Sequence, residues 1–151
     1  MKTCLTRFFQ TLMVMAFLTA LPSIVSQAHA AEYAVIVNSA NTTNGEDAKS
    51  IVKNIYLKKR TTWPDGTPTE TFARPSDHPA QEAFLSDVLG LSQAALDEYW
   101  ASEKAQTGEA APRQIGSGRI LMRQVARKKG AVGVVKADMA QGDGIKVLFT
   151  F

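Results

Sequence analysis

The chain has 151 residues, with 17 Lys and Arg against 14 Asp and Glu and a single cysteine. A chain of this size is expected to form one domain, and it is short for a two-lobed solute receptor, which needs about twice the length. The net charge of +3 is too small and too dispersed for the clustered basic face that nucleic acid requires.

Lys2 and Arg7 precede an apolar run whose strongest part is Leu12 to Leu21, and Pro22 and Ser23 break it. Ala28-His29-Ala30 then supplies small residues where a signal peptidase reads. This order predicts a secretory signal peptide over residues 1–30, cleavage after Ala30 and a periplasmic domain over 31–151. A permanent span wants about 20 clean apolar residues. Gln10, Pro22 and Ser26-Gln27 leave the run short, so the mature chain is not expected to span a membrane. Cys4 lies in the basic leader, which gives a lipoprotein reading no support. Without Lys2 and Arg7, 15 basic residues face 14 acidic ones, and no cysteine is left. An oxidising compartment permits disulfides, yet this domain must rely on its core.

Tyr33-Ala34-Val35-Ile36-Val37-Asn38 reads as a buried strand with a turn-prone exit. Ala48, Ile51, Val52, Ile55 and Tyr56 then mark one face of a helix, with Lys58, Lys59 and Arg60 after its end. Trp63-Pro64-Asp65-Gly66 is a turn sequence, and Thr67 to Ala73 can extend. Pro79 suits the first turn of a helix capped by Asp77 or His78, with Phe84, Leu85, Val88 and Leu89 inward and Gly90 at its end. Ser92 caps another helix, with Leu96, Tyr99 and Trp100 buried. Gly108 to Pro112 is a loop. Ser117 caps a last helix carrying Leu121, Met122 and Val125, ended by Gly130. Strands follow at Ala131–Val135 and Ile145–Phe151. The order predicts a three-layer α/β domain with a mixed sheet.

Constellations for catalysis are missing from the sequence beyond residue 30. It holds one histidine, His78, and no cysteine, so triads and zinc sites are hard to assemble. Gly116-Ser117-Gly118 lacks the G-x-S-x-G spacing, and Ser117 fits a helix cap. No phosphate loop of the Walker type occurs. The expectation is therefore no enzyme, no metal and no cofactor. Trp63 is expected to pack a turn, Asp65 to form it, and Lys58 to Arg60 to be a solvated helix end. Arg74 reads either as surface charge or as an anion contact at the start of the Pro79 helix. Asn38 and Ser39 either reach a cleft or cap a turn.

A composite pattern runs from Asn38–Asn41 through Ile51…Ile55-Tyr56-Leu57-Lys58-Lys59-Arg60-Thr61-Thr62-Trp63-Pro64-Asp65-Gly66. It continues with Arg74, Phe84, Val88-Leu89-Gly90, Tyr99-Trp100 and Gly108, and ends at Gly130-Ala131-Val132-Gly133-Val134-Val135. It resembles the phosphate-binding periplasmic component of ABC transporters, in the type II periplasmic-binding-protein superfamily. It looks more like the small one-domain exported proteins of that kind, over nearly all of residues 33–148. The resemblance implies a periplasmic-binding-protein-like fold in a one-lobed or reduced form, and binding of phosphate or a similar small oxyanion. It further implies a membrane transporter or sensor as partner. Arg74 matches the family's phosphate-holding arginine, and Ser76 and Asp77 stand at its polar positions. The family's Ser-Gly-Thr helix start is replaced by His78-Pro79-Ala80, which removes an amide donor and a hydroxyl. Asn38 and Ser39 complete the candidate ligand set. The alternative is an envelope interaction module that kept the fold and lost the ligand.

Overall fold

A computed structural model describes residues 32–151; the signal-peptide expectation falls outside the described residues. Five strands form one sheet in the order β3-β2-β4-β1-β5. β1 (Tyr33–Asn38) and β4 (Ala131–Lys136) lie inside it, and all six residues of β1 are buried. β1 runs antiparallel to β4 and to β5 (Ile145–Thr150), while β2 (Glu70–Ala73) is parallel to β4 and to β3 (Arg113–Gln114). The mixed sheet expected from the strand order is thus present.

Alternation along the strands builds a core on each face of the sheet. Tyr33, Val35, Val37, Val132 and Val134 face one cluster, in which they meet Val52 and Ile55, Phe84 and Leu89, and Leu96 and Trp100. These come from α1 (Ala48–Tyr56), α2 (Pro79–Phe84, continued by a wider π turn over Leu85–Leu89) and α3 (Gln93–Thr107). Ala34, Ile36, Ala131 and Val135 face the other cluster, with Leu121 and Val125 of α4 (Gly118–Arg127). Helices on both sides of the sheet make the three layers.

Local chemistry explains the boundaries. Ser92 and Ser117 accept from the amides of Ala95 and Ile120, as N-cap residues do. Gly90 ends the π turn at φ 66°. That turn replaces the regular helix end expected after Phe84, and the adjacent pairs Phe84/Leu85 and Val88/Leu89 all reach the core through it. β3 went unforeseen because both its side chains are exposed, so no apolar alternation marks it. It exists through pairing of Phe72 with Arg113 and Ala73 with Gln114. Helix α4 closes at Lys128, two residues before the expected glycine stop. Gly130 serves a different need: a methyl group there would lie 1.8 Å from the Pro68 carbonyl oxygen.

The Trp63 turn is anchored at this point. Gly66 takes φ 82°, its amide donates to Trp63 O at 2.9 Å, and Asp65 Oδ1 accepts from Thr67 N at 2.9 Å. The hydrogen bonds from Thr67 hold the Asp65 carboxyl below its ordinary value. Trp63 is 1% exposed, and its Nε1 donates to Gly130 O at 2.9 Å.

Candidate functional site

Strands β2, β3 and β4 share one direction, so their carboxyl ends lie at one end of the sheet. From β2 the chain leaves through α2 and α3 on one face, and from β3 through α4 on the other. In open α/β sheets such a reversal opens a crevice beyond the carboxyl ends of the strands. Arg74 is the first residue after β2, and Ile115 the first after β3.

Arg74 is 5% exposed. Its Nη1 donates to Ile115 O at 3.1 Å, and its backbone amide donates to Gln81 Oε1 at 3.2 Å. Its Nη2 stands 2.6 Å from His78 Nε2, and its Nε has no partner in the protein. Burial lowers the guanidinium from its ordinary value. His78 is the N-cap of α2, with Nδ1 accepting from Ala80 N at 3.1 Å. Burial first, then the Arg74 charge, push the imidazole below its usual value, partly offset by Asp77.

A neutral imidazole has one N–H and one acceptor nitrogen. If Nδ1 accepts from Ala80, Nε2 carries the hydrogen and meets a guanidinium that can only donate. If Nε2 accepts from Arg74, Nδ1–H meets the Ala80 amide. One donor therefore always faces another donor at this corner. Together with the unpaired Arg74 Nε–H, the corner has an excess of donors and positive charge.

The five residues singled out from the sequence do not form one site. Val37 pairs with Val132 in antiparallel fashion and Thr71 pairs with Val132 in parallel. Asn38 therefore lies level with Ala131, and Arg74 level with Val135. They are separated by about 13 Å along the strand direction. Asn38 Nδ2 donates to Val125 O and Ala126 O at 3.0 and 2.9 Å, and its Oδ1 accepts from Ala40 N. It caps the carboxyl end of α4, the turn-capping reading rather than the cleft reading. Ser39 is exposed beside it, its amide donating to Gly144 O at 3.0 Å.

At the other end of the sheet, Ser76 and Asp77 are the exposed middle residues of a turn closed by His78 N→Pro75 O at 3.0 Å. Ser76 also borders an open groove with Glu82, Leu85 and Ser92. The start of α2 offers fewer free amides than its position suggests. Pro79 has none, Ala80 is capped by His78, and Gln81 and Glu82 donate to His78 O.

Ser117 caps α4 as expected, but the sequence marked neither His78 as a direct partner of Arg74 nor the approach of Ile115 and Gly116 to the Arg74 turn. A methyl group on Gly116 would stand 3.8 Å from Pro75 Cγ, so the start of α4 lies against the Arg74 turn. The only signal for this was the spare Gly-Ser-Gly at a helix start. Among the described residues no group of three or more His, Cys, Asp or Glu could hold a metal ion. No described helix is long and apolar enough to cross a membrane.

This architecture matches part of a periplasmic-binding-protein-like fold. The chain is similar to an ABC-type phosphate transport receptor from Vibrio cholerae, with TM-score 0.59 and 17% identity over 78% of this chain and 45% of that one. It is likewise similar to a putative phosphate ABC transporter substrate-binding protein with bound phosphate from Clostridium perfringens, with TM-score 0.56 and 20% identity over 78% and 44%. The chain thus spans under half the length of each. No protein-family model and no curated protein matches the sequence.

Proposed function

We propose that the chain is an exported, non-enzymatic domain of solute-binding type that takes phosphate or a similar small oxyanion for an ABC-type uptake or sensing system. The reading places the anion at the carboxyl ends of β2 and β3, beside buried Arg74 and the starts of α2 and α4. One observation carries this reading: the buried Arg74–His78 contact has more donors than acceptors and an unpaired Nε–H. An anionic oxygen supplies the missing acceptor. It gains charge-assisted bonds and the favourable end of the helix dipoles. Ser76 can add a hydroxyl once its turn adjusts. Asp77 opposes a dianion, although a protonated phosphate oxygen can donate to it.

Pro79 and the His78 cap limit the amides on offer, so affinity is micromolar or weaker, on the order of 8 kcal/mol or less. Both named structural neighbours carry phosphate transport in their descriptions, which agrees with the choice of anion. The signal-like residues 1–30 supply the route to the periplasm, and a secreted product should begin at Ala31.

A second reading has its own observation. Both terminal nitrogens of Arg74 are engaged inside the protein, which suits an envelope interaction module that kept the fold without the ligand. Isothermal titration of the purified protein with phosphate and sulfate separates the two. Saturable heat in wild type that Arg74→Gln loses supports the oxyanion reading. Absence of heat with either anion favours the interaction module.

A further inference from the structure

A cavity of about 160 Å³ lies where the end of α1, helices α2 and α3, the last residues of β2 and β3, and the segment before β3 meet. Its walls are mainly apolar and aromatic, with Tyr56, Phe84, Leu96 and Trp100 prominent. Two of its lining residues carry buried polar atoms with no partner in the protein. Trp100, 7% exposed, has an unpaired Nε1–H donor, and Gln93 has an unpaired Oε1 acceptor. Cavities that stay empty are lined by apolar atoms alone. A buried donor and a buried acceptor left unmatched each need a partner from outside the protein, a water or a bound molecule.

The other polar groups narrow the choice. Tyr56 OH is taken, since it donates to Phe72 O at 2.7 Å. Burial raises its pKa well above the ordinary phenol value, so it brings no charge. Gln93 Nε2 donates to Asp97 Oδ1 at 2.7 Å, which fixes the amide so that Oε1 is its free end. Asp97, the one charged group on the lining, is exposed at the rim and negative. It repels anions. A cavity of about 150 Å³ accommodates a benzene-sized ring.

We propose that this cavity is a binding site for a small uncharged ring compound, one that accepts a hydrogen bond from Trp100 and donates one to Gln93. Its ligand class differs from the oxyanion assigned to the Arg74 corner, and neither site depends on the other for its evidence. A carboxamide or phenol on a single six-membered ring has the required size, neutrality and mixed bonding.

The chain has two tryptophans, so its spectrum holds two indole N–H signals, and Trp100→Phe assigns them. The experiment titrates the protein with benzamide and phenol, using benzoate as charged control, and follows both signals by 1H–15N NMR. The expected result is a saturable downfield shift of the Trp100 signal with the neutral probes. The Trp63 signal, already bonded to Gly130 O, stays in place. Gln93→Leu, at a half-exposed position, should keep the fold and weaken benzamide roughly fivefold, the effect of one lost hydrogen bond. Three results overturn the proposal: no saturable shift with either neutral ring, benzoate binding as well as benzamide, or unchanged benzamide affinity in Gln93→Leu. A cavity that exchanges only water gives the first of these.

Discussion

Replacing Trp63 by phenylalanine and by alanine separates two contributions that the structure locates at one residue. The indole is 1% exposed, and its Nε1–H donates to Gly130 O. That carbonyl also accepts from Glu70 N at 3.0 Å, the bond that opens the β2–β4 pairing. Trp63→Phe retains most of the buried apolar surface and leaves Gly130 O with its strand partner. The loss is therefore one net hydrogen bond without an orphaned acceptor, about 1 kcal/mol. Trp63→Ala also empties the ring's place in the core and should cost about 3–5 kcal/mol. For a domain of this size, 1 kcal/mol corresponds to a Tm change of about 4 °C. Thermal unfolding followed by far-UV circular dichroism should then show a modest drop for phenylalanine and one about four times larger for alanine. Equal losses in the two variants, or a loss below about 1 kcal/mol in Trp63→Ala, would refute the assignment of this ring as an anchor.

Further expectations follow from single contacts. Gly130→Ala drives a methyl group into the Pro68 carbonyl, a backbone collision that should cost about 3 kcal/mol or more; urea unfolding at wild-type stability would contradict it. Asn38→Ala removes two bonds to the last carbonyls of α4 and should cost about 2 kcal/mol without altering phosphate binding in the same titration. His78 resists protonation when folded, so the unfolded chain binds more protons as pH falls below about 6.5. Its contribution is complete above that pH and is lost on acidification. His78→Asn keeps a good N-cap and should flatten the fall in stability between pH 7 and 5, and an unchanged slope would rule His78 out as its source.

Much of the architecture was legible because its causes are local. The apolar runs Tyr33–Asn38 and Ala131–Val135, the caps Ser92 and Ser117, and Gly90 at φ 66° are each set by a few neighbouring residues. Two pieces of the resemblance, the Trp63 turn and the Gly130 strand, form one packing unit joined by Trp63 Nε1→Gly130 O. β3 was illegible because backbone pairing alone creates it. The candidate site was only half legible for a related reason. Arg74 and His78 lie four residues apart and could be guessed as neighbours. By contrast, the Ile115 carbonyl arrives from 41 residues away and carries no side-chain signature. Asn38 could have reached a cleft or capped a turn, and the antiparallel pairing of β1 with β4 sends it to the opposite end of the sheet from Arg74.

The proposed oxyanion contact is with the Arg74 guanidinium at the carboxyl ends of β2 and β3. Its most direct measurement is the Arg74 Nε–H resonance during a phosphate titration, assigned through Arg74→Gln. The unpaired Nε–H should move downfield and saturate with the same midpoint as the calorimetric heat. Phosphate binding that saturates while this resonance stays in place would put the anion elsewhere on the protein and rule out Arg74 as its holder.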